Sequence, residues 1–408
     1  MGFLKNRQIE QEEMGFSSPL GYAVCEACVA DLVLAEFIAE NLTAAQCSFC
    51  GRSESTEIAA DADVVLARIS EGLKTEWSRA IDELGYDSES KSGFVRSTRD
   101  AWEVFEQVGP IFATDAFEEF VVKAFDGEVW CQRDPYGTTV GGEALRYGWE
   151  DLAETVKHYQ RFVFFLPKEE VLDDEPGAEV PRGGKMLEEL SRLIRHYQLV
   201  KELPGGTPLY RCRLHGVRKK YSEAKDLGAP PAKEASQSRM SPACIPIFYA
   251  ADEPETTLAE TIDPKRTRTK GATIATFQLT TKCRIIDLSR LPPVPSIFDA
   301  DPETQRLHQE LGFLHGFRRD VGGHVERDGR EHIEYVPTQV VCEYLRHAFR
   351  DDKGRSVRGL AWESVKRPGA RNIVLFIDRD HCVERGERPE RVPEPLVELI
   401  SSEPRRLP

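Results

Sequence analysis

Four cysteines near the start of the chain have the spacing of a metal site. They form two pairs, Cys25 with Cys28 and Cys47 with Cys50, and residues 29–46 separate the pairs. Two CxxC pairs at this distance are typical of a tetrahedral zinc site with four thiolate ligands. Because cysteine fills all four positions, no coordination site is left for water. We therefore expect a structural Zn²⁺ that holds the fold and performs no catalysis.

The other six cysteines do not form pairs. Each occurs singly in an apolar or strand-like context, which favours reduced core residues over disulfides. They are Cys131, Cys212, Cys244, Cys283, Cys342 and Cys382.

A second candidate for chemistry is Glu260, in the stretch IPIFYAADEPETTLAET at 245–261. The stretch predicts a buried strand that leads directly into a helix, with Asp252 as its cap and Pro254 in its first turn. Leu258 and Ile262 are four residues apart and should face the core, so periodicity alone places Glu260 on the outer face. A glutamate in such a position is ordinarily solvated, and the helix pattern by itself does not make it a site.

The totals of the chain restrict its class. With 408 residues, of which 40% are hydrophobic, it can form two or three domains with packed cores. A net charge of -15 makes nucleic acid an unlikely partner over any broad surface, although a local basic patch stays open. No stretch approaches the ~20 apolar residues of a membrane span, and the start lacks the apolar core of a signal peptide. We expect a cytoplasmic protein with no membrane partner.

The elements that position these residues change along the chain. Residues 1–52 are expected to form a small zinc-binding unit, and residues 53–200 a helical domain in which apolar residues recur at three- and four-residue steps. The stretch at 166–184 is rich in Pro, Gly and acidic residues and reads as a linker. Residues 205–400 contain short β-rich runs without regular helices between them. This favours an α+β fold with a mixed or antiparallel sheet.

Several motifs in the second half follow one another in a familiar order. They are LYRCR at 209–213, RMSPACIPIFYAADEPETTLAET at 239–261, EYVPTQVVCEYLR at 334–346 and GLAWESVKRPGARNIVLF at 359–376. Together they resemble the RES domain family over about residues 205–390. The first half, with its CxxC pairs and helical stretch, is similar to the HEPN-related N-terminal domain that accompanies some RES domains.

The resemblance implies an ADP-ribosyltransferase-like fold that consumes NAD⁺, by releasing nicotinamide or by moving ADP-ribose to an acceptor. It implies that Arg211 binds the pyrophosphate, that Tyr249 stacks on the nicotinamide ring, and that Glu260 stabilises the ribosyl cation. Ser364 falls on the family's serine, and Trp362 stands where a tyrosine is more familiar. The residue types suit these roles. An arginine side chain presents several N–H donors in one plane to a pyrophosphate, and a carboxylate attracts the positive charge that develops on the ribose.

Other partners and roles follow less directly. Arg239 is a second candidate for a phosphate contact, ranked below Arg211 because most arginines in such positions are solvated.

Many members of the family are toxins held by an antitoxin, so an antitoxin or other regulatory protein is an expected partner, and a homo-oligomer stays open. The rival hypothesis is a binding module, in which a zinc-ribbon and helical half recognises nucleic acid or protein and the second half is catalytically inactive.

Overall fold

The structure is a computed structural model that describes residues 2–85, 97–133, 141–165, 183–216, 218–262, 270–323, 329–388 and 396–407. The predicted linker at 166–184 lies outside the described residues except for Gly183 and Gly184. Among the described helices, none combines the length and the apolar composition that a membrane crossing requires.

The chain divides into two compact units. Unit 1 comprises Met1–Ala144, Asp174–Glu179 and Pro293–Gly312, and unit 2 comprises Leu145–Asp173, Val180–Pro292 and Phe313–Pro408. The domain boundaries predicted from the sequence, at residues 52, 200 and 205, stay a prediction.

Unit 1 combines helices with very short strands. Its elements are α1 (Gly2–Met14), β1 (Ala23–Val24), α2 (Leu32–Glu40), β2 (Leu42–Ala44), β3 (Ala59–Asp61), α3 (Ala62–Leu73), β4 (Trp77–Arg79), α4 (Ala80–Glu83), α5 (Ala101–Val108), α6 (Asp115–Phe125) and β5 (Trp130–Gln132). Strands β1 and β2 both pair with β3, and β4 pairs with β5.

One apolar core holds unit 1 together. It contains Leu34 and Ile38 of α2, Leu66 of α3 and Phe117 of α6, and the buried cysteines Cys25, Cys28 and Cys47 belong to the same cluster. The helical pattern predicted for residues 53–200 is interrupted at Trp77, because α3 ends at Leu73 and Trp77 begins β4. The indole of Trp77 is nonetheless buried, as the apolar pattern predicts.

Unit 2 is built on a large sheet. Its elements are α7 (Gly141–Glu154), a π-helical turn (Thr155–Tyr159), α8 (Gly184–His196), β6 (Val200–Leu203), β7 (Pro208–His215), α9 (Ala224–Leu227), β8 (Phe248–Ala251), α10 (Pro254–Thr261), β9 (Gly271–Leu279), β10 (Cys283–Asp287), α11 (Pro302–Gly322), α12 (Glu331–Glu334), α13 (Val336–His347), β11 (Gly359–Glu363), β12 (Arg371–Leu375), β13 (Cys382–Glu384) and β14 (Val397–Arg406). Helices α7 and α11 cross the division between the units.

The sheet has nine strands in the order β13-β14-β9-β7-β8-β12-β11-β10-β6. Most neighbours are antiparallel, whereas β10 with β11 and β13 with β14 are parallel. The predicted α+β class with a mixed C-terminal sheet is therefore confirmed. The ADP-ribosyltransferase-like character of that sheet rests on the family resemblance alone.

The strand register separates two faces of the central strands. Tyr210 pairs with Ala251, Ala251 with Asn372, and Asn372 with Trp362. Because directly paired residues project to the same side and neighbours along a strand alternate, these residues, together with Cys212 and Tyr249, define one face, called face A. The opposite side, face B, carries Leu209, Arg211, Phe248, Ala250, Ala275, Phe277, Ala361 and Ile373.

The two faces are covered differently. Helix α10 lies over face A, where the Thr257 hydroxyl accepts a hydrogen bond from the backbone N–H of Cys212 at 3.0 Å. Leu258 of α10 and Ile262, the residue directly after the helix, pack against an apolar cluster there, as their spacing predicts. Face B packs into the main apolar core of unit 2. Both sides of these strands are thus covered, which explains their nearly continuous apolar sequences.

Candidate active site and metal centre

Helix α10 places Glu260 over face A. It begins at Pro254, and Glu253 is the N-cap residue, without a side-chain capping bond. The prediction that Asp252 caps the helix is wrong, because its carboxylate accepts hydrogen bonds from the backbone N–H and the Nε of Arg371 at 2.8 and 2.9 Å. Asp252 therefore fastens the end of β8 to β12, while the proline sets the first turn of α10.

The carboxylate of Glu260 is oriented by two donors from distant parts of the chain. Its Oε1 accepts hydrogen bonds from Ser364 Oγ at 2.6 Å and from Asn372 Nδ2 at 2.9 Å. Ser364 is 1% exposed, and Asn372 is also buried. Glu260 Oε2 has no hydrogen-bond partner within the described part of the chain. One oxygen is thus fixed by the protein, and the other is left for a ligand.

Tyr249 connects the sheet to the loop that carries Arg239. Its hydroxyl donates to Ser238 Oγ at 2.9 Å and accepts from the backbone N–H of Met240 at 3.0 Å. Burial raises the pKa of Tyr249 far above its usual value, so the hydroxyl stays protonated and can donate. Tyr249 therefore hydrogen-bonds to the residues on both sides of Arg239.

Arg239 lies within electrostatic range of Glu260. Burial lowers the pKa of Arg239, while Tyr335, Tyr249, Glu260 and Asp320 act in the opposite direction. Its Nη1 donates to the backbone carbonyls of Asp320 and Val321 at 3.1 and 3.3 Å. The Nε and Nη2 groups make no hydrogen bond to described residues. Arg239 therefore retains donors that can contact an anion.

Arg211, the arginine ranked first from the sequence, is not brought to this cluster. Its side chain projects to face B, where the guanidinium lies 5.4 Å from the centre of the Phe248 ring. Nη1 donates to the backbone carbonyl of Tyr249 at 2.8 Å, and Nε is buried without a partner among the described residues. Burial lowers the pKa of this guanidinium. The role of Arg211 as a pyrophosphate ligand stays a prediction.

Sequence reasoning missed Asn372. The residue lies in β12 and is paired with Ala251 and Trp362, on the same face as Tyr249. An asparagine at the start of the apolar run NIVLFI was the available signal, because asparagine is depleted in strands and needs hydrogen-bond partners when buried. Trp362, at the position where the family more often has tyrosine, is buried beside it on face A.

The four paired cysteines form a compact cluster in unit 1. Their Sγ atoms all lie within 4.8 Å of one another. Individual Sγ–Sγ distances are 3.9 Å for Cys25–Cys28, 3.5 Å for Cys25–Cys50 and 3.6 Å for Cys28–Cys47. A tetrahedron with Zn–S bonds of ~2.3 Å has S–S edges of about 3.8 Å. The cluster is therefore compatible with a structural zinc ion.

The backbone around the cluster favours the thiolate form of Cys47. Burial by itself would raise the pKa of Cys47, but hydrogen bonds from the backbone of Cys50, Phe49 and Cys25 lower it to about 7. Burial raises the pKa of Cys25 to about 11. A cation at the centre would reverse that effect, because a coordinating thiol is deprotonated by the metal.

Of the six single cysteines, five are buried as predicted, namely Cys131, Cys212, Cys283, Cys342 and Cys382. The prediction is wrong for Cys244, which is exposed and has a φ of 66°. It lies in the loop between Arg239 and β8, where a left-handed turn carries its side chain away from the core.

Comparison with protein families agrees with these two regions. Residues 40–170 match the model of HEPN/RES N-terminal domain 1, and residues 208–397 match the model of the RES domain. No curated protein and no solved structure gives a match. The second match contains Glu260, Ser364, Tyr249, Arg239 and Asn372. The chain therefore contains a HEPN/RES N-terminal domain 1 followed by a RES domain.

Proposed function

We propose that the chain cleaves the bond between nicotinamide and ribose in NAD⁺ on face A of the large sheet. Membership in the RES domain family supports an NAD⁺-related, toxin-like enzyme. The observation that carries the proposal is the carboxylate of Glu260, which Ser364 and Asn372 hold by one oxygen while the other has no partner among the described residues.

Glu260 would act on the charge that develops during cleavage. As nicotinamide leaves with the bonding electron pair, positive charge builds on the ribose, and an ionised carboxylate close to the sugar stabilises it. Its Oε2 can also accept a hydrogen bond from a ribose hydroxyl. Because both donors to Oε1 come from buried residues, the carboxylate is already oriented before the substrate binds, which avoids a reorganisation cost in the transition state.

Arg239 is the better candidate for the pyrophosphate contact. The negative charge of Glu260 acts on Arg239, and the Nε and Nη2 groups of Arg239 have no partner among the described residues. Arg211, in contrast, projects to face B. A guanidinium keeps its charge at any relevant pH and can bond two phosphate oxygens at once. Tyr249 would hold the Arg239 loop in place, and one face of its ring is the candidate surface for the nicotinamide.

Three different acceptors could receive the ADP-ribosyl group, and each gives a different product. Water gives ADP-ribose, inorganic phosphate gives its phosphorylated form, and a nucleophilic side chain gives an ADP-ribosylated macromolecule. In each case the acceptor forms a bond to the ribose carbon that nicotinamide leaves and releases a proton. A toxin or defence effector would deplete NAD⁺ or inactivate a target by the same step.

The test is incubation of the purified full chain with NAD⁺, in buffers with and without phosphate, followed by mass spectrometry of small molecules and of protein. We expect free nicotinamide in both buffers, with the ADP-ribose product identifying the acceptor. Absence of nicotinamide under all conditions, including addition of a cell lysate as a source of acceptors, would contradict the proposal.

We also propose that Cys25, Cys28, Cys47 and Cys50 bind one zinc ion that stabilises unit 1. Four thiolates satisfy the metal completely and leave no open position for chemistry. Metal analysis should give one zinc per chain, and Cys47→Ser should reduce the zinc content and lower the melting temperature. A Cys47→Ser protein with full zinc and unchanged melting would contradict the site.

A further inference from the structure

A small pocket in unit 1 lies between the end of α5 and the start of α6. Its volume is about 160 Å³, and its apolar floor includes Phe105, Ile111 and Phe112. The rest of the lining consists of Trp102, Glu106, Gly109, Pro110 and Glu118. A cavity of about 150 Å³ is large enough to hold one benzene molecule, so this pocket fits one side chain rather than a cofactor.

The two carboxylates at the pocket have no partner among the residues that the structure describes. Neither the Glu106 nor the Glu118 side chain makes a hydrogen bond or an ion pair there. The indole of Trp102 is 55% exposed, and no described arginine or lysine lies over its ring. An apolar pocket edged by an exposed indole and two free carboxylates is complementary to a cation on an apolar stem.

The pocket is built on a rigid backbone. Helix α5 starts with a capping box between Asp100 and Glu103 and ends at Gly109, whose φ of 105° only glycine adopts easily. The backbone N–H of Ala30 donates to the carbonyl of Ile111 at 2.7 Å. The N–H of Ala113 donates to the carbonyl of Cys28 at 3.0 Å, which fastens the pocket wall to the cysteine cluster.

The surroundings favour a basic protein surface as the occupant. Residues 101–125 contain five acidic residues and one basic residue, and the whole chain has a net charge of -15. Ala30 bonds to Ile111 of the pocket wall, and Leu32, two residues further along the chain, adds an apolar side chain that is 78% exposed to this part of unit 1. A small amine would fill only the pocket, whereas a protein partner would also cover this surface.

We propose that this Trp102 pocket binds an arginine side chain of a partner protein. The planar guanidinium stacks on the exposed face of the indole, and its fork of N–H donors reaches the carboxylates of Glu106 and Glu118. Lysine offers only a compact, strongly hydrated charge and gains less from the indole. The pocket lies outside the NAD⁺ site proposed above, so it would serve recruitment or control and not the chemical step.

The test uses the full chain labelled with 5-fluorotryptophan, since its five tryptophans give five fluorine signals. Loss of one signal in Trp102→Phe assigns the resonance of Trp102. The probes are capped pentapeptides of the form Gly-Gly-X-Gly-Gly, in which X is arginine, lysine or the neutral isostere citrulline. The matched variant is Glu106→Gln with Glu118→Gln, and Glu119→Gln is the control on α6.

We expect the arginine peptide to shift the Trp102 signal in a saturable manner, and the double glutamine variant to weaken its binding at least tenfold. Glu119→Gln should bind like the parent, and the citrulline peptide should produce no shift. Equal binding of citrulline and arginine would overturn the proposal, as would a double variant that binds like the parent. Lysine binding as tight as arginine, or an equal shift with Ca²⁺ alone, would also overturn the assignment to arginine.

Discussion

The two faces of the nine-stranded sheet use polar residues in opposite ways. On face A, Oε1 of Glu260 accepts hydrogen bonds from Ser364 and Asn372, and Oε2 has no partner among the described residues. On face B, Arg211 is partly buried beside the ring of Phe248 and bonds only to the carbonyl of Tyr249 among the described residues. Under the proposed function, the side of the strand from which a residue projects decides whether it can join the site.

The largest effect is expected for Glu260→Gln, which keeps the shape of the side chain and removes its charge. NAD⁺ turnover should fall by a factor on the order of 100 or more, with little change in NAD⁺ affinity, because the charge acts mainly in the transition state. Nicotinamide release measures the rate, and a melting curve excludes unfolding. Glu255→Gln, an exposed residue on the same helix, should retain the parental rate.

A smaller effect is expected when a donor to Glu260 is removed. Ser364→Ala and Asn372→Ala should each lower turnover by about tenfold, because the carboxylate loses one of two bonds that orient it. Since both bonds end on Oε1, the double variant should lose less than the product of the two single effects. Ser401→Ala, an exposed serine of β14, is the control. Parental turnover in both single variants would show that the cluster on face A does not position the carboxylate.

The smallest effect on catalysis is expected for Arg211→Ala. Its loss should destabilise the protein by about 1–3 kcal/mol, because the Tyr249 carbonyl loses its donor and the core loses packing. Turnover of the folded protein should stay within about twofold of the parent. A variant that melts normally but no longer binds NAD⁺ would show that Arg211 contributes to NAD⁺ binding. It would contradict the proposed functional difference between face A and face B.

The sequence predicted the local features well. The four cysteines lie within 26 residues of one another, from 25 to 50, and their spacing alone indicated the cluster that the structure contains. The strand before α10 and the proline in its first turn were also readable, because both depend on neighbours in sequence.

The active-site cluster was harder to predict because strand register is not local. Glu260 meets Asn372 only because β8 pairs with β12, and no propensity specifies that pairing. For the same reason the sequence could not show that alternation along β7 turns Arg211 to face B. Strand β14 was missed, since its polar half, SSEPRR, lacks the apolar alternation that marks a strand.

Calorimetry of NAD⁺ binding tests the proposed NAD⁺ site on face A most directly. The Glu260→Gln protein is the suitable background, because it should leave the substrate intact during the titration. We predict that adding Arg239→Ala weakens NAD⁺ binding at least tenfold, whereas adding Arg211→Ala leaves the affinity of the folded protein unchanged. The reverse result, with affinity lost through Arg211 and kept without Arg239, would contradict the placement of the site.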